Sequence, residues 1–163
     1  TPACLEAYDR TVRPILDAGL PTLTWMAAPH QGRMHVPSCD FSAMISPALF
    51  EECVLPSIAQ EVAATDRSIY HLDGPDALRH LDAVLTIPGL NAVQWVYGAG
   101  KGPAARWIPV YKRIQAAGKA IQVQCECVQD ALAVAREVNT EGAWYQVPGM
   151  KLDDAQRLLN KLT

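Results

Sequence analysis

Short apolar runs alternate along most of the chain with stretches whose apolar positions recur at helical spacing, a pattern of strands and amphipathic helices joined by short connections. It predicts a helix over 3–18 stopped by Gly19, a strand over 22–28, a long loop over 29–46, and a helix over 47–64 with Ser46 as cap and Pro47 at its first position. Pro56 falls inside that last helix and predicts a kink. Strands follow over 68–72, 91–96, 120–126 and 143–147. Helices are expected from Asp76 to Ile87, over 105–117, 128–139 and 152–162. Five strands alternating with helices imply an α/β fold with a parallel sheet. In such folds the chemistry gathers at the carboxyl ends of the strands.

The most informative junction is Ser68-Ile69-Tyr70-His71-Leu72-Asp73-Gly74-Pro75, where an apolar strand ends on a His-x-Asp pair, turns, and enters a helix that Asp76 is placed to cap. Residues two apart share a strand face, so His71 and Asp73 project together. Imidazole titrates near neutral pH, which suits a metal pair, an acid-base pair or an anchor for an anion. The alternative for His71 is a structural hydrogen bond to a loop carbonyl. His80, on the following helix, reads as a packing or surface residue.

The loop over 29–46 is long enough to be a lid or binding loop. Arg33 and His35 suit carboxylates, Phe41, Met44 and Met34 suit an apolar pocket, and Asp40 can orient a group or exchange a proton. Phe41 and Met44 pinning the loop to the core is the competing reading. Gly98-Ala99-Gly100-Lys101-Gly102 lacks the spacing of a phosphate-binding loop, leaving a flexible turn with Lys101 available to an acidic group. Tyr97 sits beside it at a strand end. Cys125-x-Cys127 is too closely spaced for a zinc knuckle or redox pair and reads as core thiols, as Trp95, Trp107 and Trp144 read as core rings.

The 163 residues are 50% hydrophobic and 19% charged, enough for a sizeable core and unlike a disordered chain. A net charge of -3 without a basic stripe argues against nucleic acid. No apolar run reaches membrane-spanning length and nothing has signal-peptide form, so a cytoplasmic protein without a membrane partner is expected. Five irregularly spaced cysteines point to reduced thiols. An opening on Thr1 suggests a trimmed chain or a fragment.

From about Tyr8 onward the chain resembles the C-terminal portion of the uroporphyrinogen decarboxylase superfamily, which includes the decarboxylase and cobalamin-linked methyltransferases. The resemblance rests on Tyr8-Asp9-Arg10 leading to Asp17-Ala18-Gly19, Ser38-Cys39-Asp40-Phe41-Ser42, Ile45-Ser46-Pro47 through Val54-Leu55-Pro56, His71-Leu72-Asp73-Gly74, Ala92-Val93-Gln94-Trp95, and Ile114-Gln115 up to Gly118. Length alone favours a doubly wound sheet, since a full barrel takes roughly 250 residues. The resemblance instead implies the later part of a (β/α)8 barrel, with residues 1–163 as one C-terminal domain.

The resemblance further implies a carboxy-lyase acting on a carboxylated tetrapyrrole-like ligand without a cofactor. His71, Asp73 and Asp40 would be the catalytic residues, and Arg33, His35, Phe41, Ser42, Tyr97 and Lys101 the ligand-binding ones. A corrinoid-linked methyltransferase, with zinc and a corrinoid protein as partner, is the alternative, and an inactive half-barrel a further one. The zinc proteins use a His and two thiolates. Here His71 is present, but Asp73 and Met150 stand in the thiolate positions, which argues against a thiol-activating zinc site. The Gly-His-Gly turn of the decarboxylase is replaced by Val147-Pro148-Gly149-Met150. Open edges on a partial barrel imply self-association or pairing with a missing N-terminal half.

Overall fold

The computed structural model describes residues 2–26 and 28–162. Its sheet comprises β1 Met34–His35, β2 Arg67–Asp73, β3 Ala92–Val96, β4 Ala120–Gln124 and β5 Ala143–Gln146. The strands lie in chain order and each neighbouring pair is parallel. Around them are α1 Pro2–Asp17, α2 Pro47–Leu49, α3 Leu55–Ala63, α4 Leu81–Leu85, α5 Ile108–Ala116, α6 Val128–Ala135 and α7 Leu152–Leu162. The protein is thus α/β, with a five-stranded parallel sheet alternating with helices.

Strand alternation separates the two faces of this sheet. Tyr70 and Leu72 of β2, Val93 and Trp95 of β3, Ile121 and Val123 of β4, and Ala143 and Tyr145 of β5 share one face in register. All of them join one apolar cluster with Val62 of α3, Leu81 of α4, Ile114 of α5, Val134 of α6 and Leu158 of α7. Helices α3 to α7 therefore pack on this one face. The opposite face carries His71, Asp73, Gln94, Gln122 and Gln146, which lie outside that cluster. Gln122 Nε2 donates to Gln146 Oε1 at 3.0 Å across β4 and β5.

Two local departures from the sequence expectations have clear causes. Within 22–28, Thr22 and His30 pair with each other through both backbone N–H groups, and Thr22 Oγ1 donates to the Gly32 carbonyl at 2.7 Å. That segment folds back on itself and is no strand; Ala27 lies outside the described residues. The first strand is Met34–His35, inside the expected loop, where it pairs with Arg67 and Ser68.

In the helix expected over 47–64, Pro56 acts one turn early. Phe50–Val54 widens into a π turn whose following residue, Leu55, donates to the Phe50 carbonyl. The wider turn accommodates a ring that would collide with the carbonyl four residues back and that has no N–H to give. Past β2, Gly74 and not Asp76 occupies the capping position, with no side-chain cap, and Pro75–His80 is a 3₁₀ helix before α4.

Burial pushes the Tyr97 and Tyr145 phenols and the Cys125 thiol up to about 12 each, and raises Tyr70 and Tyr111 as well. Unfolded phenols titrate near 10 and thiols near 8.5, so the folded state retains protons that the unfolded state releases. Stability contributed by these groups is complete below the unfolded values and declines as pH rises toward the folded ones. The urea midpoint should therefore fall steadily between about pH 9 and pH 11, with tyrosinate absorbance appearing only as the chain unfolds. A midpoint constant over that range contradicts this account.

Candidate functional site

The site begins with the end of β2. Tyr70 and Leu72 are buried on the helix side, so His71 and Asp73 between and beyond them fall on the opposite, polar face. Gly74, at φ 82, then turns the chain, a conformation unfavourable for residues with a Cβ, and its N–H donates to the Val96 carbonyl at the end of β3.

A second segment is fastened against this end. The His71 N–H donates to the Pro37 carbonyl at 2.9 Å, and Ser38 forms a parallel bridge with His71. The chain then makes the 3₁₀ turn Asp40–Met44. His80 Nε2 donates to the Ser42 carbonyl at 2.8 Å and Arg79 Nη2 to the Ala43 carbonyl at 3.2 Å. His80 is 1% exposed and stacks on Phe50 with ring centroids 4.4 Å apart. Its part is to hold the loop.

The outcome is that Asp40, His71 and Asp73 converge, with one ligand atom of each lying within 4.8 Å of the others. His71 Nδ1 is 2.5 Å from Gln94 Oε1, its register partner on β3. A carbonyl oxygen only accepts, so with Gln94 in this orientation Nδ1 carries the hydrogen and Nε2 keeps the lone pair. Gln94 is itself 1% exposed, so the imidazole is held by a group with little freedom. The 64%-exposed Trp25 meets the His71 ring edge-on at 6.0 Å.

The remaining sequence candidates are placed elsewhere. Arg33 precedes β1, where its guanidinium pairs with Asp9 of α1 at 2.5 Å and its N–H donates to Asp66. His35 Nε2 lies 3.2 Å from Glu61 Oε2 of α3, and its ring meets Tyr8 at 5.6 Å. Met34 pairs with Arg67, four residues before His71, which at about 3.3 Å per residue is about 13 Å along the strand. Arg33 and His35 thus belong to the amino end of the sheet, engaged with α1 and α3.

Ser42 is buried and its carbonyl is taken by His80, whereas Phe41 and Met44 are exposed and do not pin the loop to the core. Lys101 is exposed at the turn after β3, where its carbonyl accepts from Trp107 Nε1 at 3.0 Å. Tyr97 packs against the core cluster, its phenol raised by burial and next by Glu126. Cys125 is buried, but Cys127 is exposed at the cap position of α6, and Trp144 is exposed on β5, so neither is the core residue expected. Met150 packs on the helix side with the core.

Gln94 and Trp25 went unmarked as site residues in the sequence. A glutamine in the middle of Ala92-Val93-Gln94-Trp95-Val96, matched by Gln122 in the next strand, was the available signal: a polar residue repeated at one register marks a face that is not core. Comparison of the chain with family models, curated proteins and solved structures gives no match.

The neighbouring strand ends are organised by Asp130. Its carboxylate accepts from the N–H groups of Ala104 at 2.8 Å, Ala105 at 2.9 Å and Glu126 at 3.1 Å while 5% exposed. Replacing it by alanine strands three backbone donors in a buried place, at about 1 kcal/mol or more each. Asp130→Ala should lower unfolding free energy by roughly 3 kcal/mol or more in urea titration. A loss below about 1 kcal/mol means that water replaces the carboxylate.

Proposed function

We propose that this chain is the later part of a (β/α)8 barrel enzyme of the uroporphyrinogen decarboxylase type, acting as a carboxy-lyase on a carboxylated tetrapyrrole-like ligand. A sheet whose strands follow chain order, with α3 to α7 packed on one face, supports the barrel reading. Doubly wound sheets change direction and place helices on both faces, whereas a barrel turns its uncovered face inward. The observation that carries the functional reading is the convergence of Asp40, His71 and Asp73 at the carboxyl end of β2, on the face opposite α3 to α7.

In this reading, a carboxylate arm of the ligand loses CO2 and its bonding electrons pass into the protonated pyrrole ring. The carbon left behind then takes a proton. His71 first takes a proton onto the Nε2 lone pair from Asp73 or Asp40 and then delivers it to that carbon, with its Nδ1–H held by Gln94. Asp73 and Asp40 accept hydrogen bonds from the pyrrole nitrogens or return the proton to the imidazole. Lys101 attracts the remaining carboxylates. The methyltransferase alternative gains nothing from Met150, which lies with the core and away from His71's face of the sheet.

Trp25 beside His71 makes binding visible. Titration with uroporphyrin, a stable stand-in for the porphyrinogen, should quench tryptophan fluorescence saturably. The apparent affinity should fall about tenfold or more in His71→Ala and in Asp73→Asn, as expected when a buried or ligand-facing polar contact of 1.4 kcal/mol or more is lost. Absence of saturable quenching in the folded wild-type chain, or quenching that both variants leave untouched, overturns this reading.

A further inference from the structure

We propose that Asp40, His71 and Asp73 form a binding site for one divalent first-row metal cation. These side chains supply two carboxylates and one imidazole, and a ligand atom of each lies within 4.8 Å of the others. Metal bonds to oxygen and nitrogen of about 2.0–2.2 Å keep ligand atoms at most about 4.4 Å apart, so small side-chain rotations close the set around an ion. Two oxygens and one nitrogen suit cations such as Mn2+ or Fe2+, which accept both hard carboxylate and imidazole, better than a thiolate-seeking ion.

The cluster is more than neighbouring acids, because its imidazole is already prepared. Gln94, buried on the adjacent strand, accepts from Nδ1–H, and a metal-bound histidine is typically held through its second nitrogen in this manner, leaving Nε2 to the ion. Asp40 comes from a different segment and is brought there by the Pro37–His71 backbone bond and by the clamp of His80 and Arg79 on Ser42 and Ala43. Three ligands from one strand and one pinned loop leave the remaining coordination positions to water or ligand oxygen.

The proposal stands apart from the tetrapyrrole reading, since the ion alone is the probe. Mn2+ added to the metal-free chain should lose its free-ion electron spin resonance signal with one equivalent bound. Asp40→Asn, Asp73→Asn and His71→Gln should each weaken binding tenfold or more, and Gln94→Leu should weaken it by a smaller factor with the three ligands intact. Asp76→Asn, an exposed carboxylate just outside the site, should leave it unchanged, and circular dichroism checks that every variant is folded. Binding of neither Mn2+ nor Zn2+ by the wild type, or binding that survives the three ligand substitutions, overturns the proposal. Failure of uroporphyrin to bind while Mn2+ binds normally removes the tetrapyrrole reading and leaves the metal site standing.

Discussion

The two-residue alternation of β2 is the constraint on which the rest of the site depends. One strand must place Tyr70 and Leu72 in the helix-covered core and His71 and Asp73 on the opposite, polar face. A slip of one residue would exchange these sets, burying a carboxylate and an imidazole against Phe50, Leu81 and Trp95. The apolar side of β2 thus fixes the orientation of its polar side. Because β3 and β4 keep the same register, Gln94 and Gln122 fall on the polar face as well, and Gln94 lands opposite His71.

A second layer of constraint comes from the loop between β1 and α2. It contains almost no regular structure, yet its backbone is bonded on both sides of the β2 turn, to His71 before it and to His80 and Arg79 after it. Long loops are usually mobile because few of their backbone groups find protein partners. Here the partners are the backbone of β2 and side chains of the 3₁₀ helix that follows it. His80 therefore bears on the placement of Asp40 through the Ser42 carbonyl two residues further on.

Much of this was legible in the chain itself. Four of the five strands and the last helix lie where apolar runs and helical spacing put them, because each buries a face against a large core and the burial pattern is strong. The His-x-Asp strand end was visible for the same reason. The first strand was not. Met34–His35 is two residues long, and its selection over the apolar stretch after Pro21 depends on which segment finds the free edge of β2. Arg33 and His35 illustrate the same limit: their residue types suit an anionic ligand, but only the register of β1 against β2 places them at the amino end, beside Asp9 and Glu61.

The chain's own periodicity determined the α/β alternation, the identity of the core face, and the pairing of His71 with Asp73, because these follow from local geometry repeated every two or 3.6 residues. Tertiary structure alone decided the order of the strands, the one-sided packing of the helices, and the meeting of Asp40 with a histidine 31 positions away. Those depend on contacts between segments distant in sequence, and side-chain chemistry without register leaves such contacts open.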